Sequence, residues 1–198
     1  MGCHLPEDHS DVVANKPVRG PNRHTSHVEG WTALLEEHYR DMQKLALLLL
    51  RALALAIGIE EDFFVFRLVE PLSVFRMIHH PALTKDEGER VVCGEHTDYG
   101  ILTRFYHDAA GGVRVRDLSG EWTDATPVAG SFSTSHRALN PGVDRISMPF
   151  FCEPHPDALI QCLDRCHSAE NPAKYPPVKT ADWLRKQFAE TYAYRKAM

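Results

Sequence analysis

Between residues 31 and 57, apolar positions recur at three- and four-residue steps. Leu35, Tyr39, Met42, Ala46, Leu49 and Leu53 fall on one helical face, which predicts a long amphipathic helix. Gly58 is the natural stop for it, because glycine enters the left-handed backbone that ends helices. Past Pro71 the pattern shortens. Segments 73–79, 90–94, 101–106, 112–116, 121–127 and 145–151 are β-like and bounded by Gly, Pro, Asp or Asn. Several short strands separated by turns predict a sandwich or barrel of the jelly-roll kind. Helical spacing returns from Thr180 to about Tyr194, with Trp183, Phe188 and Tyr192 as its larger anchors. Residues 1–29 are rich in Pro, His, Asp and Asn without periodicity and predict an irregular lead-in. The expected organisation is a lead-in over 1–29, scaffold helices over 30–70, and a mainly β domain with a closing helix over 71–198.

Composition narrows the class. A chain of 198 residues, 43% hydrophobic and 25% charged, is long enough for one domain with a real core. The net charge of -5 is spread without a long acidic run, which argues against nucleic acid as the main partner, since phosphate binding needs a concentrated basic face. The most apolar stretch, 45–59, is interrupted by Arg51 and falls short of the ~20 residues a membrane span needs, so it reads as part of a buried helix. Five cysteines (Cys3, Cys93, Cys152, Cys162 and Cys166) at irregular spacing, without a secretory signal, predict free thiols in a reducing, cytoplasmic compartment. The Met-Gly-Cys start resembles an acylation signal, but Pro6 stands where a Ser or Thr is wanted. Oligomeric state is not written in the pattern.

The sharpest chemical signal is Gly94-Glu95-His96-Thr97-Asp98-Tyr99-Gly100. In extended chain, residues i and i+2 point to one side, so His96 and Asp98 can offer an imidazole nitrogen and a carboxylate oxygen to one metal. A lone His-x-Asp is more often a surface pair. Here Ser135-His136-Arg137 follows, and then Asp144-Arg145-Ile146-Ser147. Two histidines and a carboxylate on one face of an iron leave positions open for a co-substrate and dioxygen. Arg145 and Ser147, on one strand face, suit a bound carboxylate.

Taken together, His96-Thr-Asp-Tyr-Gly-Ile-Leu-Thr, Gly111-Gly-Val-Arg-Val, Gly120-Glu-Trp, Ser135-His-Arg and Arg145-Ile-Ser-Met-Pro-Phe-Phe resemble the isopenicillin N synthase-like, Fe(II)/2-oxoglutarate-dependent oxygenases. So do Gly20-Pro-Asn-Arg, the long helix with its Ile57-Gly-Ile-Glu-Glu-Asp-Phe-Phe end, and Tyr175-Pro-Pro-Val, so that the likeness runs over roughly residues 17–195. The resemblance implies a double-stranded β-helix (jelly-roll) core with flanking helices, and Fe(II) held by His96, Asp98 and His136. It implies that Arg145 and Ser147 hold the far carboxylate of 2-oxoglutarate. The implied reaction oxidises a small organic substrate with dioxygen while 2-oxoglutarate is decarboxylated to succinate.

Three departures from the family pattern stand out. The family's N-terminal portion is largely missing before residue 17. His80 stands where the family usually has a tyrosine before the proline, here Pro81. Only 39 residues separate His96 from His136, with Pro127-Val-Ala-Gly-Ser-Phe132 running directly into Ser133-Thr-Ser-His136. The usual strand, Asn-x-Gly-Asp turn and Thr-Asn-Gly loop are absent there, so the jelly roll is expected to be incomplete by about one strand and its turn. Removing a core strand leaves backbone groups unpaired at roughly 1–3 kcal/mol each. A shortened, inactive remnant acting at most as a binding module is therefore the alternative to a working oxygenase. A third reading is a zinc site on Cys152, His155, Cys162, Cys166 and His167, whose spacing fits no usual paired-ligand knuckle. Within the enzyme reading, isopenicillin N synthase itself uses its Arg-x-Ser pair for the peptide substrate. Arg145 and Ser147 thus imply a carboxylate more directly than they imply 2-oxoglutarate.

Overall fold

The computed structural model describes residues 1–25, 27–83, 90–117, 119–125 and 135–191. In chain order these contain helices α1 (Ser10–Val13), α2 (Trp31–Ala56) and α3 (Thr180–Thr191). The strands are β1 (Val74–Phe75), β2 (Ile78–His80), β3 (Arg90–His96), β4 (Leu102–His107), β5 (Val113–Arg116), β6 (Trp122–Asp124), β7 (His136–Asn140), β8 (Arg145–Cys152), β9 (Leu159–Ile160) and β10 (Val178–Lys179). The chain divides into two compact units. One comprises Met1–Val74, Tyr99–Leu102 and Cys152 onward; the other comprises Phe75–Asp98 and Thr103–Phe151.

The first unit is built on α2. Its end is a Schellman cap: Gly58, at φ +69, donates to the Leu55 carbonyl, and Ile59 donates to that of Ala54. The buried face runs Leu35, Tyr39, Ala46, Leu50 and Ala54. The expected face is corrected in its second half, where Leu50 is 1% exposed and Leu53 is 42% exposed. From Ala46 the stripe advances in steps of four, and small Ala54 is the residue that closes against the core. Tyr39 donates to the Ser73 carbonyl at 3.1 Å, and Ser73 Oγ exchanges hydrogen bonds with the Glu153 backbone. The described part of the lead-in over 1–29 is irregular apart from α1, and side chains tie it down. Arg19, with 2% of its side chain exposed, binds Asp11 Oδ2 and both the carbonyl and carboxylate of Glu70. Gly2 bridges to Val74. In α3 the buried anchor is Leu184, while Phe188 is 40% exposed and Trp183 is half-buried, donating Nε1 to the Tyr99 carbonyl. Tyr192 lies outside the described residues.

The second unit holds the jelly-roll strands. β1 and β2 run end to end along one side of β8, with Arg76 donating to Pro149 and Ile78 opposite Ser147, while β4 also pairs with β8. The second sheet has the order β3-β7-β5-β6. β7 falls outside the expected segments, because its opening Ser-His-Arg carries no apolar alternation. β6 is shorter than expected, and the shortened connection over 126–134 lies outside the described residues. Val113, Leu139 and Phe150 form the core here.

Candidate metal centre

The β3–β7 register sets the site. Arg90 faces Asn140 and Val91 faces Leu139, a register that would put Gly94 opposite His136. Irregularities between Val91 and Cys93, and between Cys93 and His96, instead bring His96 opposite His136. A single one-residue slip would turn His96 to the wrong face; two slips restore the face and move the pair along the strand. Asp98 follows two residues later, just past the end of β3. The donor atoms of His96, Asp98 and His136 all lie within 4.8 Å of one another. Asp98 Oδ1 is 3.8 Å from Nε2 of each histidine, and the two rings lie 4.2 Å apart. Metal bonds of about 2.0–2.2 Å place two donors at most about 4.4 Å apart, so the two 3.8 Å separations from Asp98 suit a shared ion.

Backbone chemistry orients one ligand. His96 Nδ1 donates to the Gly94 carbonyl at 2.7 Å, which assigns the ligand role to Nε2, 3.8 Å from Asp98 Oδ1. The Cys93 thiol, 3.6 Å from Nδ1, and that carbonyl together raise the His96 pKa to about 9; His96 in turn lowers that of Cys93. Neither contact is foreseeable from the sequence, where Cys93 counts only as a free thiol.

Arg145 and Ser147 lie on β8 and are 1% and 2% exposed. Arg145 Nη1 donates to the Gly111 carbonyl at 3.2 Å, but its Nε is buried without any partner. A buried guanidinium with a spare donor fits an anion better than it fits a structural clamp. Gly112, at φ +86, packs beside it: an added Cβ would clash with the Leu139 carbonyl at 2.6 Å, while reaching only ordinary contact, 3.6 Å, with Arg145 Nε. His80 sits opposite Arg145 in the β2–β8 ladder, and its Nε2 lies 3.1 Å from Ser147 Oγ. The structure therefore brings His80 into the same cluster as the two predicted carboxylate-binding residues. Among the described residues, the Cys152, His155, Cys162, Cys166 and His167 set forms no such cluster. Cys152 is buried, which pushes its thiol up to about 12.

A model of the 2OG-Fe(II) oxygenase superfamily matches residues 71–154, the stretch containing all five expected site residues. The chain is 31% identical over 226 aligned residues to the 2-oxoglutarate-Fe(II) type oxidoreductase hxnY of Emericella nidulans, covering all of this chain and 65% of that protein. It is 32% identical to the homoarginine-6-hydroxylase 2-ODD-C23.1 of Arabidopsis thaliana, over 81% of this chain and 54% of the relative. A Caulobacter crescentus protein described as a 2OG-Fe(II) oxygenase family member superposes with a TM-score of 0.81 at 27% identity, over 96% of this chain and 68% of that one. A Neurospora crassa protein, crystallised at full length in complex with alpha-KG, shares the fold with a TM-score of 0.78 at 24% identity, over 96% of this chain and 64% of that one. Along its whole length the chain is similar to proteins of the 2OG-Fe(II) oxygenase superfamily, and its β core is a jelly roll like theirs. It spans about two thirds or less of the length of the curated relatives it matches. An alignment of 226 positions against 198 residues also requires internal gaps. Among the described residues, no helix is long and apolar enough to cross a membrane.

Proposed function

We propose that this chain is an Fe(II)- and 2-oxoglutarate-dependent oxygenase of the isopenicillin N synthase-like type, acting in the cytoplasm on a small organic substrate. The observation that carries the reading is the convergence of His96, Asp98 and His136 within 4.8 Å, two strands supplying the histidines from directly opposed positions. The segment 71–198 is the oxygenase domain, preceded by the lead-in over 1–29 and the scaffold helices over 30–70. His96, Asp98 and His136 hold the iron, leaving neighbouring positions for co-substrate and dioxygen. Arg145 and Ser147 bind the far carboxylate of 2-oxoglutarate, whose charge gives the spare Nε of Arg145 its acceptor. Iron held there would supply the redox chemistry with dioxygen that couples oxidation of the organic substrate to conversion of 2-oxoglutarate into succinate and carbon dioxide. The protein's part is rigid positioning. The Gly94 carbonyl orients His96, and the close approach of Gly112 to the Leu139 carbonyl fixes the backbone beside Arg145.

The test is an anaerobic titration with Fe(II) and 2-oxoglutarate, following the visible metal-to-ligand charge-transfer band, with His136→Ala as control. A band saturating near one iron per chain and lost in the variant supports the reading. A folded protein without a band overturns it. A second reading, a remnant that binds without turnover, draws on β3, whose residues from Arg90 to Glu95 are all exposed, so that the strand carrying His96 is open to water. A normal band with no succinate formed over many candidate substrates favours that reading.

A further inference from the structure

The residue at which this chain departs from the family's tyrosine is the one that joins the carboxylate pocket. We infer that His80 is a third ligand of the co-substrate's far carboxylate and binds it together with a proton, so that co-substrate affinity follows pH. This inference rests on the proposed oxygenase function.

The geometry is that of the ladder. His80 pairs with Arg145 across β2 and β8, and directly opposed residues share a face. Ser147, two residues along β8, is on that face as well, and its Oγ lies 3.1 Å from His80 Nε2. An anion that satisfies the free Nε of Arg145 and the Ser147 hydroxyl therefore lies beside the imidazole. A tyrosine there would donate one neutral O–H at every physiological pH. An imidazole can instead become a cation, and a dicarboxylate favours that form.

Charged groups around His80 set the starting state. Burial lowers its pKa first, the Arg145 guanidinium on β8 and His79 on its own strand lower it further, and Asp108 beyond β4 raises it slightly. Asp144, at the head of β8, lies 3.7 Å from His79 Nε2. Free His80 is thus neutral near pH 7. Arrival of the carboxylate offsets Arg145 and adds a direct acceptor, which raises the His80 pKa. Binding then takes up one proton from solvent. Between the free and bound pKa values affinity falls as pH rises, by up to about tenfold per pH unit.

The experiment measures 2-oxoglutarate binding to the iron-loaded protein under anaerobic conditions from pH 6 to 8. It uses the charge-transfer band, and calorimetry in buffers of different ionisation enthalpy to count protons. Wild type, His80→Tyr and His80→Gln are compared, so that any pH dependence of the iron site is common to all three. The expected result is an affinity that falls several-fold more steeply per pH unit in wild type than in His80→Tyr or His80→Gln, with close to one extra proton taken up. Equal slopes and equal proton counts in wild type and either folded variant overturn the inference while leaving the oxygenase reading intact. Absence of 2-oxoglutarate binding in wild type at every pH overturns both.

Discussion

Replacing Arg145 with methionine separates a waiting ligand from a structural clamp. Arg145 is 1% exposed, and among the described residues its side chain donates to Gly111 at 3.2 Å. Among the described residues its Nε has no partner, and no ion pair within 4.0 Å reaches it. An unsatisfied buried donor costs about 1–3 kcal/mol, and the desolvated charge adds to that. Methionine fills similar length without either penalty. Gly111 is only half-buried, so its carbonyl can turn to water once the guanidinium is gone. Exchanging a poorly paired buried ion for an apolar side chain is neutral to stabilising by about 1–4 kcal/mol. We expect Arg145→Met to stabilise the protein without co-substrate by about 1–3 kcal/mol, raising Tm by about 2–4 °C per kcal/mol. The same change should weaken 2-oxoglutarate binding by about 2–5 kcal/mol, roughly thirtyfold or more, because it strands a buried carboxylate. Urea denaturation without ligand and anaerobic titration with it read the two effects. A variant destabilised by about 2 kcal/mol or more, with binding unchanged, would make Arg145 a fastener of the sheet and refute the assignment.

The remaining expectations are local. Leu50→Ala should lose about 2–5 kcal/mol in urea denaturation, whereas Leu53→Ala, at an exposed position, should change stability by less than about 1 kcal/mol; equal losses would contradict the rotated helix face. Gly112→Ala should destabilise the fold and weaken 2-oxoglutarate binding together, since the new Cβ would meet the Leu139 carbonyl at 2.6 Å in a left-handed backbone. Asp108 accepts the backbone N–H groups of Ile146 and Ala110, and the Ile146 bond does most to lower its pKa. Because the folded pKa is the depressed one, its contribution is full above the unfolded value near about 3.9 and is lost as pH falls through the folded value. Melting curves of wild type and Asp108→Ala should therefore differ at pH 7 and converge under acid.

The residues that revealed the family were also those most legible locally. His96 and Asp98 could be paired from an i, i+2 spacing alone, and Gly58 from its place after a periodic run. Face assignments were harder to read. Leu49 and Leu53 are as apolar as Leu50, and only packing decides which of them turns inward. The paired slips in β3 leave no mark in the sequence, because a bulge is set by two strands at once and β7 carries no alternation of its own. His80 was visible as a departure, but its link to Ser147 depends on the register of two strands 67 residues apart.

The two halves of the proposed site differ in how firmly they are built. Arg145 and Ser147 are almost fully buried, whereas the His96 side chain is 36% exposed on β3, an edge strand among the described residues. Edge strands open more readily than central ones, since only one side of their backbone is paired. Iron bound across β3 and β7 would cross-link the edge strand to its neighbour, so metal binding should protect the amides of β3 from hydrogen exchange more than those of β8. The anion pocket needs no such help, because its side chains are already packed in place. In the proposed enzyme the carboxylate site is thus formed in advance, while the geometry of the metal site depends on the metal itself.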